Sequence, residues 1–361
     1  MGHTGIPARF AVDFGQTGPM TMPTFETLDA DQIVYGRVDQ VSGSIRRVIA
    51  ENPSKFTYLG TGTYLIDGRS STVVVDPGPV LDSHRDALAA AIAGRSVAAI
   101  LITHCHSDHS PLAGWLAAET GAPTIAFGSH PRPTAEIAEL FSDIAVLNEL
   151  SVDDGADQGV DDGADDGVET GARGPVEVEE TVDHDFVPDV VAADGEVVWD
   201  DDGITITALH TPGHTSNHMC FAFAQEQALF TGDHVMGWST TVVSPPDGDM
   251  ISYMESLRRV AGRDDAVLWP THGPPRHDGS GYVQALYEHR VAREQQIIDA
   301  LRAGPATIVE MVPVLYAAVP AALHKAAAMS VYSHLTKAVA DGVVAVVDGG
   351  APRLSSTYAA A

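Results

Sequence analysis

One short segment, Thr103 to His109 (THCHSDH), constrains this chain more than any other. Within it, four side chains that commonly bind metal ions fall inside six residues: His104, His106, Asp108 and His109. The segment follows the apolar run SVAAILIT, which predicts a buried strand that ends at the first histidine. Because side chains alternate along an extended strand, we expect His104 and His106 to point the same way. Imidazole and carboxylate groups are typical ligands of zinc, iron and manganese.

Three further potential ligands each follow an apolar strand pattern and lie beside Gly or Pro: His214 in TPGHTSNH, Asp233 in ALFTGDH and His272 in VLWPTHGPP. Strand ends at one edge of a layered fold converge, so distant positions can form one site. We expect His104, His106 and His214 to bind one ion. Asp108, His109 and His272 are expected to bind a second ion, and Asp233 is well placed to bridge the two.

This ligand set predicts a hydrolase with two divalent ions, most simply Zn²⁺, with Fe or Mn as alternatives. Such a pair can generate a hydroxide at neutral pH and stabilise an oxyanion, so no Ser or Cys nucleophile is required. Asp108 is the predicted catalytic residue, since it can orient the hydroxide and accept its proton. Cys105 alternates away from the histidines and is interpreted as a packing residue.

Other polar residues near the motifs have less specific roles. His218 and His234 could contact substrate, but we interpret them as residues behind the ligands or at the surface. Arg290 and Arg293 share one helix face and could brace the site, although a salt-bridge role is favoured. His84, His130, His184 and His277 are interpreted as ordinary packing or surface residues.

The order of strand and helix patterns predicts a layered α/β fold. Strand-like runs begin with VYGRV (34–38), SIRRVIA, TGTYLID and STVVVD, and a helix is expected over 83–94. Later strands are GEVVW, GITITALH, HMCFAFA and ALFTGD, followed by helices over 251–262 and 281–303. After Gly304 the pattern becomes helical and closes with VVAVVDGG, which indicates a winged-helix module.

We therefore divide the chain into an irregular arm (1–30), a catalytic domain (31–280), and a linking helix with a winged-helix domain (281–361). The catalytic domain contains a Gly/Asp/Ala-rich run at about 151–180, which we interpret as a disordered insertion. Residues 151–202 hold 19 acidic residues and one base, so 18 of the 29 net negative charges lie there. The rest of the chain is only moderately acidic, and its charge does not exclude an anionic substrate held by metals.

Two cysteines in 361 residues are too few for a disulfide framework. The N-terminal sequence lacks the basic and apolar regions of a secretory signal. We expect a cytoplasmic protein without a membrane span.

The ordered set of HxHxDH, GH, GD and a final HG resembles the metallo-β-lactamase superfamily, with all seven ligand positions matched. The runs TGTYLI, TPGHTSNHM, HGPP and YEHRVAREQQI, with the tail LHKAAAMSVYSHLTKAVADGVV, are similar to the beta-lactamase-like protein 2 branch. The resemblance covers roughly 32–140 and 195–350, and it implies a four-layer αβ/βα fold followed by a winged helix. The acidic insertion, Trp238 and the PPDGDM loop depart from the animal members of that branch.

Two substrate classes remain open. The animal members of the branch imply an endoribonuclease that acts on single-stranded RNA. Such an enzyme cleaves phosphodiester bonds. However, six bases and six acids balance over 281–361, whereas a nucleic-acid-binding winged helix normally has a basic face. The alternative is a glyoxalase-II-like thioesterase or another small-ester hydrolase. A β-lactamase and a non-catalytic winged-helix regulator are less favoured, and a homodimer is left open.

Overall fold

The computed structural model describes residues 23–135, 139, 141–150 and 181–361. The acidic insertion at 151–180 and most of the N-terminal arm lie outside these described residues. Chain contacts divide the described residues into a larger unit (23–135 and 181–295) and a smaller unit (139, 141–150 and 296–361). This division differs from our boundary at 280/281, because it starts the second unit at 296 and adds 141–150 to it. The domain limits themselves stay a prediction.

The larger unit contains two β-sheets. The first has seven strands in sequential order: β1 (Val38–Gln40), β2 (Ile45–Ile49), β3 (Gly62–Asp67), β4 (Ser71–Val75), β5 (Ser96–Leu101), β6 (Thr124–Ala126) and β7 (Val190–Val191). The second has five strands in the order β12-β11-β10-β9-β8: β8 (Val197–Asp201), β9 (Ile204–His210), β10 (Met219–Phe223), β11 (Ala228–Gly232) and β12 (Val267–Pro270).

Four helices begin in the larger unit: α1 (Asp82–Ile92), α2 (Ala113–Thr120), α3 (Met250–Ala261) and α4 (Gly279–Arg302). The helix α3 begins where the Asp249 side chain accepts the backbone N–H of Ser252, which satisfies an otherwise unpaired donor of the first turn. The helix α2 ends at Gly121, whose φ of +73° is the left-handed conformation that glycine adopts without strain.

Apolar side chains from both sheets form a shared buried core. The inward face of β9 (Ile204, Ile206 and Ala208) alternates with half-buried threonines and packs with residues of the first sheet such as Val73 and Leu101. On the outer side of the first sheet, Ile100 packs with Leu116 of α2. On the outer side of the second sheet, Leu229 packs with Leu257 of α3 and residues of α4. The four-layer αβ/βα arrangement that the sequence predicted is therefore confirmed.

The parallel strand pairs determine where the site forms. In the first sheet β4, β5 and β6 run parallel, and in the second β11 and β12 run parallel. The carboxyl ends of parallel strands meet at one edge of their sheet, which is where open α/β sheets place ligands.

The smaller unit has the elements of a winged helix. Its helices are α5 (Ile308–Leu315) and α6 (His324–Ala340), and its sheet has the order β13-β15-β14 with β13 (Ala306–Thr307), β14 (Val344–Val346) and β15 (Thr357–Ala360). Thr307 caps α5 reciprocally with Glu310, which fixes the start of that helix. Leu147 and Leu150 pack in the core of this unit with Met311.

The sequence missed some local detail. The expected strand at 34–38 is wrong, because residues 34–37 form a turn in which Gly36 has a φ of +72° and Arg37 N–H donates to the Val34 carbonyl. The first strand therefore begins only at Val38. Among the described residues, none of the helices combines the length and apolarity that crossing a bilayer requires.

Candidate metal centre

All seven side chains singled out as metal ligands lie together at the edge where the parallel strands end. Their ligand atoms form three overlapping groups in which every pair of atoms lies within 4.8 Å: His104, His106 and His214; His104, His109 and Asp233; and Asp108, His109 and His272. Each of these side chains is buried. The first and third groups have the memberships that the strand-end positions predicted.

The first group is a compact cluster of imidazole nitrogens. The His106 Nδ1 atom lies 3.0 Å from His104 Nε2 and 3.1 Å from His214 Nε2. The two motif histidines thus present different ring nitrogens to the same point, as their alternation on extended backbone allows. Between them, Cys105 points into the core and is fully buried, which agrees with its interpretation as a packing residue.

Carboxylates dominate the other half of the cluster. The Asp108 Oδ2 atom lies 3.3 Å from His109 Nε2 and 3.2 Å from His272 Nε2. The two oxygens of Asp233 face different groups, because Oδ1 lies 3.4 Å from His272 Nε2 and Oδ2 lies 3.9 Å from His214 Nε2. A carboxylate in this position can contribute one oxygen to each of two ions.

The ring nitrogens that point away from the cluster are held by the surrounding chain. His214 Nδ1 donates to the Val242 carbonyl at 2.7 Å, and His272 Nδ1 lies 3.3 Å from the Gly60 carbonyl. Such contacts fix the tautomer and leave the opposite nitrogen as a ligand.

Asp76, a residue that the sequence analysis did not single out, connects several parts of the site. Its Oδ2 atom accepts hydrogen bonds from the Thr103 hydroxyl at 2.7 Å and from His109 Nδ1 at 2.9 Å. The Thr103 hydroxyl in turn lies 3.1 Å from His104 Nδ1. The one signal available was an acidic residue directly after the wholly apolar end of β4, because a buried carboxylate requires partners.

His218 lies behind the ligands. Its Nε2 atom accepts the backbone N–H of Asp233 at 3.2 Å, and its Nδ1 atom lies 2.9 Å from the Thr211 hydroxyl. His218 and His234 are both fully buried, so they do not form part of the exposed surface. Of the three possibilities left by the sequence, which are substrate contact, a position behind the ligands and a surface position, the contacts of His218 fit a position behind the ligands.

Burial lowers the pKa values of the histidines in the cluster, whereas neighbouring carboxylates raise them. Burial, together with neighbouring imidazoles, holds the pKa values of His104 and His106 well below the usual range. Burial also lowers the pKa of His272, but the carboxylates of Asp233 and Asp108 outweigh it and raise that pKa to about 10. A cation that binds here must therefore displace a proton from His272.

Three polar atoms of the cluster indicate whether a cation fits the site. Among the described residues, Asp108 Oδ1, His109 Nε2 and Asp233 Oδ1 are buried and have no hydrogen-bonding partner. An unpaired buried polar atom costs free energy of folding, so three such atoms in one cluster indicate that a further group binds there. Nitrogen and carboxylate oxygen are donors suited to zinc and related divalent ions, and the residues present therefore fit such ions.

A pocket opens directly onto the cluster. Its lining combines three ligands (His106, His214 and Asp233) with Phe56, Met236, Trp238 and Val242 and the polar residues Lys55 and Ser239. The indole of Trp238 stacks on Tyr58, with ring centroids 4.7 Å apart. Gly273 has a φ of +91°, and a Cβ there would lie 2.9 Å from Trp238, so glycine is needed for this approach.

Comparisons with known proteins match this architecture. Residues 59–272 match the model of the metallo-beta-lactamase superfamily, and residues 307–351 match the beta-lactamase associated winged helix domain. A beta-lactamase-like protein 2 homolog of Caenorhabditis elegans is 28% identical, with 85% of this chain and 88% of the relative covered.

Two further proteins extend the comparison. The atrochrysone carboxyl ACP thioesterase dmxR1 of a Cryptosporiopsis species is 26% identical over 73% of this chain, which spans 65% of the length of that relative. The crystal structure of a metallo-beta-lactamase family protein from Thermus thermophilus has a TM-score of 0.64 and 21% identity, and covers 89% of this chain and 100% of its own. At that identity, the structural likeness supports the fold alone.

Proposed function

Because the chain belongs to the metallo-beta-lactamase superfamily and is a hydrolase of that group, we propose that it cleaves small acyl thioesters or esters at a two-metal site. The apolar pocket that opens onto the metal ligands is the observation that carries this proposal. Proteins in this superfamily share a scaffold across many substrates, so the substrate has to be argued from the site itself.

The seven clustered side chains are the proposed ligands. His104, His106 and His214 would hold one ion, and Asp108, His109 and His272 the other, with Asp233 shared through its two oxygens. Zn²⁺ is the proposed metal, with Fe or Mn as alternatives. When bound, such ions supply Lewis acidity and make water in the site more acidic.

The remaining steps belong to side chains of this protein. One oxygen of Asp108 is occupied, since Oδ2 accepts the Thr61 hydroxyl at 2.7 Å, whereas Oδ1 has no hydrogen-bonding partner. We assign Asp108 Oδ1 the role of orienting the attacking water and taking its proton. The pocket wall excludes bulk water and holds the acyl group with its carbonyl beside the cluster.

The pocket favours an acyl group over a nucleic-acid backbone. Phe56, Met236, Trp238 and Val242 offer apolar surface next to His106 and His214, which suits a hydrocarbon chain. Binding a polynucleotide relies on clustered Lys and Arg, whereas Lys55 is the single Lys or Arg among the pocket-lining residues. The name of the Cryptosporiopsis relative, a thioesterase, points in the same direction.

The test is a comparison of substrates on one preparation of zinc-loaded protein. Thiol release is measured on acyl thioesters whose chains increase in length, and cleavage is measured on a labelled single-stranded RNA. We expect thioester turnover that rises with chain length and is lost in His106→Ala. His277→Ala, the same change at an exposed histidine, is the matched control.

The outcomes separate the alternatives. RNA cleavage without thioester turnover, lost in His106→Ala, would overturn the substrate proposal and retain the metal hydrolase. Thioester turnover that is equal in His106→Ala would overturn the assigned ligands. A cytoplasmic location remains part of the proposal, as does the option of a homodimer.

A further inference from the structure

The buried guanidinium of Arg290 connects helix α4 to the segment that supports two proposed metal ligands. Arg290 is 4% exposed, and its Nη2 atom donates a hydrogen bond to the Thr241 carbonyl. The guanidinium also lies over the ring of the buried Tyr253, 5.4 Å from its centroid. The helix motif that the sequence analysis interpreted as a salt-bridge element therefore reaches a backbone carbonyl close to the site.

Thr241 links Arg290 to Asp233, the ligand that the two ions would share. Its hydroxyl donates to the carbonyl of Asp233 at 2.7 Å and lies 3.2 Å from the carbonyl of His234. Tyr253 reaches the same backbone, because its hydroxyl donates to the His234 carbonyl at 3.1 Å. The backbone of Asp233 is thus held on the carbonyl side by Thr241 and on the amide side by His218.

The next residue in the segment orients a second ligand. The Val242 carbonyl accepts the Nδ1 proton of His214 at 2.7 Å, which directs His214 Nε2 toward the cluster. A hydrogen-bond donor that anchors residue 241 therefore fixes the carbonyl at residue 242 as well. Small displacements of such supporting groups are transmitted to the ligands, because metal geometry tolerates little error.

We propose that Arg290 is a positioning residue for the metal centre, which acts by anchoring Thr241 and Val242 and thereby fixing Asp233 and His214. The inference rests on the metal site of the proposed function and is independent of the substrate. It concerns ligands from both halves of the cluster, so loss of the anchor affects the binding of both ions.

The test measures metal binding rather than turnover. Arg290→Met keeps the aliphatic length but removes the donor, and it is expected to weaken zinc binding by about 10- to 100-fold in a competition assay with a chromophoric chelator. The cobalt-substituted variant should show an altered visible absorption spectrum. Arg290→Lys retains one donor and should recover part of the affinity.

Matched controls keep the result interpretable. Arg302→Met makes the same change on the same helix at a side chain that is 63% exposed, and it should bind zinc as the unaltered protein does. If Arg290→Met does not fold, Arg290→Lys decides, since it changes only the donor that reaches the Thr241 carbonyl and should still weaken zinc binding measurably. Unchanged zinc affinity and an unchanged cobalt spectrum in the folded variant would overturn the proposal, whatever its thermal stability.

Discussion

Asp76 and His109 are joined by a hydrogen bond of 2.9 Å between Oδ2 and Nδ1, and both residues are buried. This contact directs the opposite nitrogen of His109 toward Asp108 and Asp233. Because Asp76 also accepts the backbone N–H and the hydroxyl of Thr103, it holds the start of the proposed metal-binding segment and one proposed ligand within it. Asp76 is therefore expected to support the metal centre without belonging to the proposed ligand set.

We predict that Asp76→Asn weakens zinc binding by about 10- to 100-fold, because the amide has one acceptor oxygen in place of two and orients His109 less firmly. Isothermal titration of the metal-free protein with zinc measures the change. Asp185→Asn is the control, since that side chain is 95% exposed. Equal affinities in the two variants would show that Asp76 has no role in metal binding.

Metal removal should lower the stability of the fold. The cluster brings buried carboxylates and imidazoles together, and a cation is expected to bind the folded chain in preference to the unfolded one. Zinc at 100 times its Kd is then expected to add about 2.7 kcal/mol to the free energy of unfolding. Thermal melting with increasing zinc checks this. His106→Ala should show a smaller shift, and an equal shift in that variant would place the zinc elsewhere.

Trp238 should determine how strongly long acyl chains bind. Trp238→Ala removes the wall stacked on Tyr58 and should lower kcat/KM for long-chain thioesters by at least about tenfold, since burying a large apolar side chain contributes roughly 1.5–3 kcal/mol. Short-chain substrates should be affected little. Trp238→Phe preserves an aromatic wall and is the control. A uniform loss across chain lengths would contradict a role in acyl recognition.

His84 should make the fold less stable in mild acid. Burial lowers its pKa to about 4, whereas an unfolded histidine titrates near 6.5. Between these values the unfolded chain binds the additional proton, so stability falls as the pH decreases from about 6.5 to about 4 and is unaffected above that window. His84→Asn should reduce the slope by at most about 1.4 kcal/mol per pH unit. Urea unfolding with chelator present measures both proteins, and identical slopes would contradict the assignment.

The segment 144–150 should stabilise the smaller unit rather than the metal centre. Leu147 is fully buried in that unit together with Met311 and Tyr332. We expect Leu147→Ala to cost about 2–5 kcal/mol of stability there. Hydrogen exchange of α6 amides should become faster while zinc affinity stays the same. Unchanged exchange in α6 would contradict this placement of Leu147.

The sequence predicted those features that depend on periodic pattern. Alternation along the chain that follows β5 brings His104 and His106 to one point, and the strand-end rule brings His214, Asp233 and His272 to them. Side-chain alternation and the positions of strand ends can both be predicted from the sequence pattern, so the clustering of these residues could be predicted as well.

Other features depend on tertiary contacts that leave no periodic signal. Asp76 has the appearance of an ordinary strand-terminal residue until Thr103 and His109 are brought to it. Thr241 lies in an irregular segment, and its importance arises from contacts with Arg290 and Asp233, which are distant in sequence. Leu147 precedes a low-complexity run, and only the core of the smaller unit explains its burial.

Two-metal thioester hydrolysis is tested most directly by a stepwise zinc titration of metal-free protein in which bound metal and thiol release from a long-chain acyl thioester are followed together. We predict that two ions bind to each chain, that turnover appears as they bind, and that His106→Ala loses both tight binding and turnover. A chain that binds two zinc ions at the seven ligands but releases no more thiol than His106→Ala would contradict the proposed thioester or ester hydrolysis.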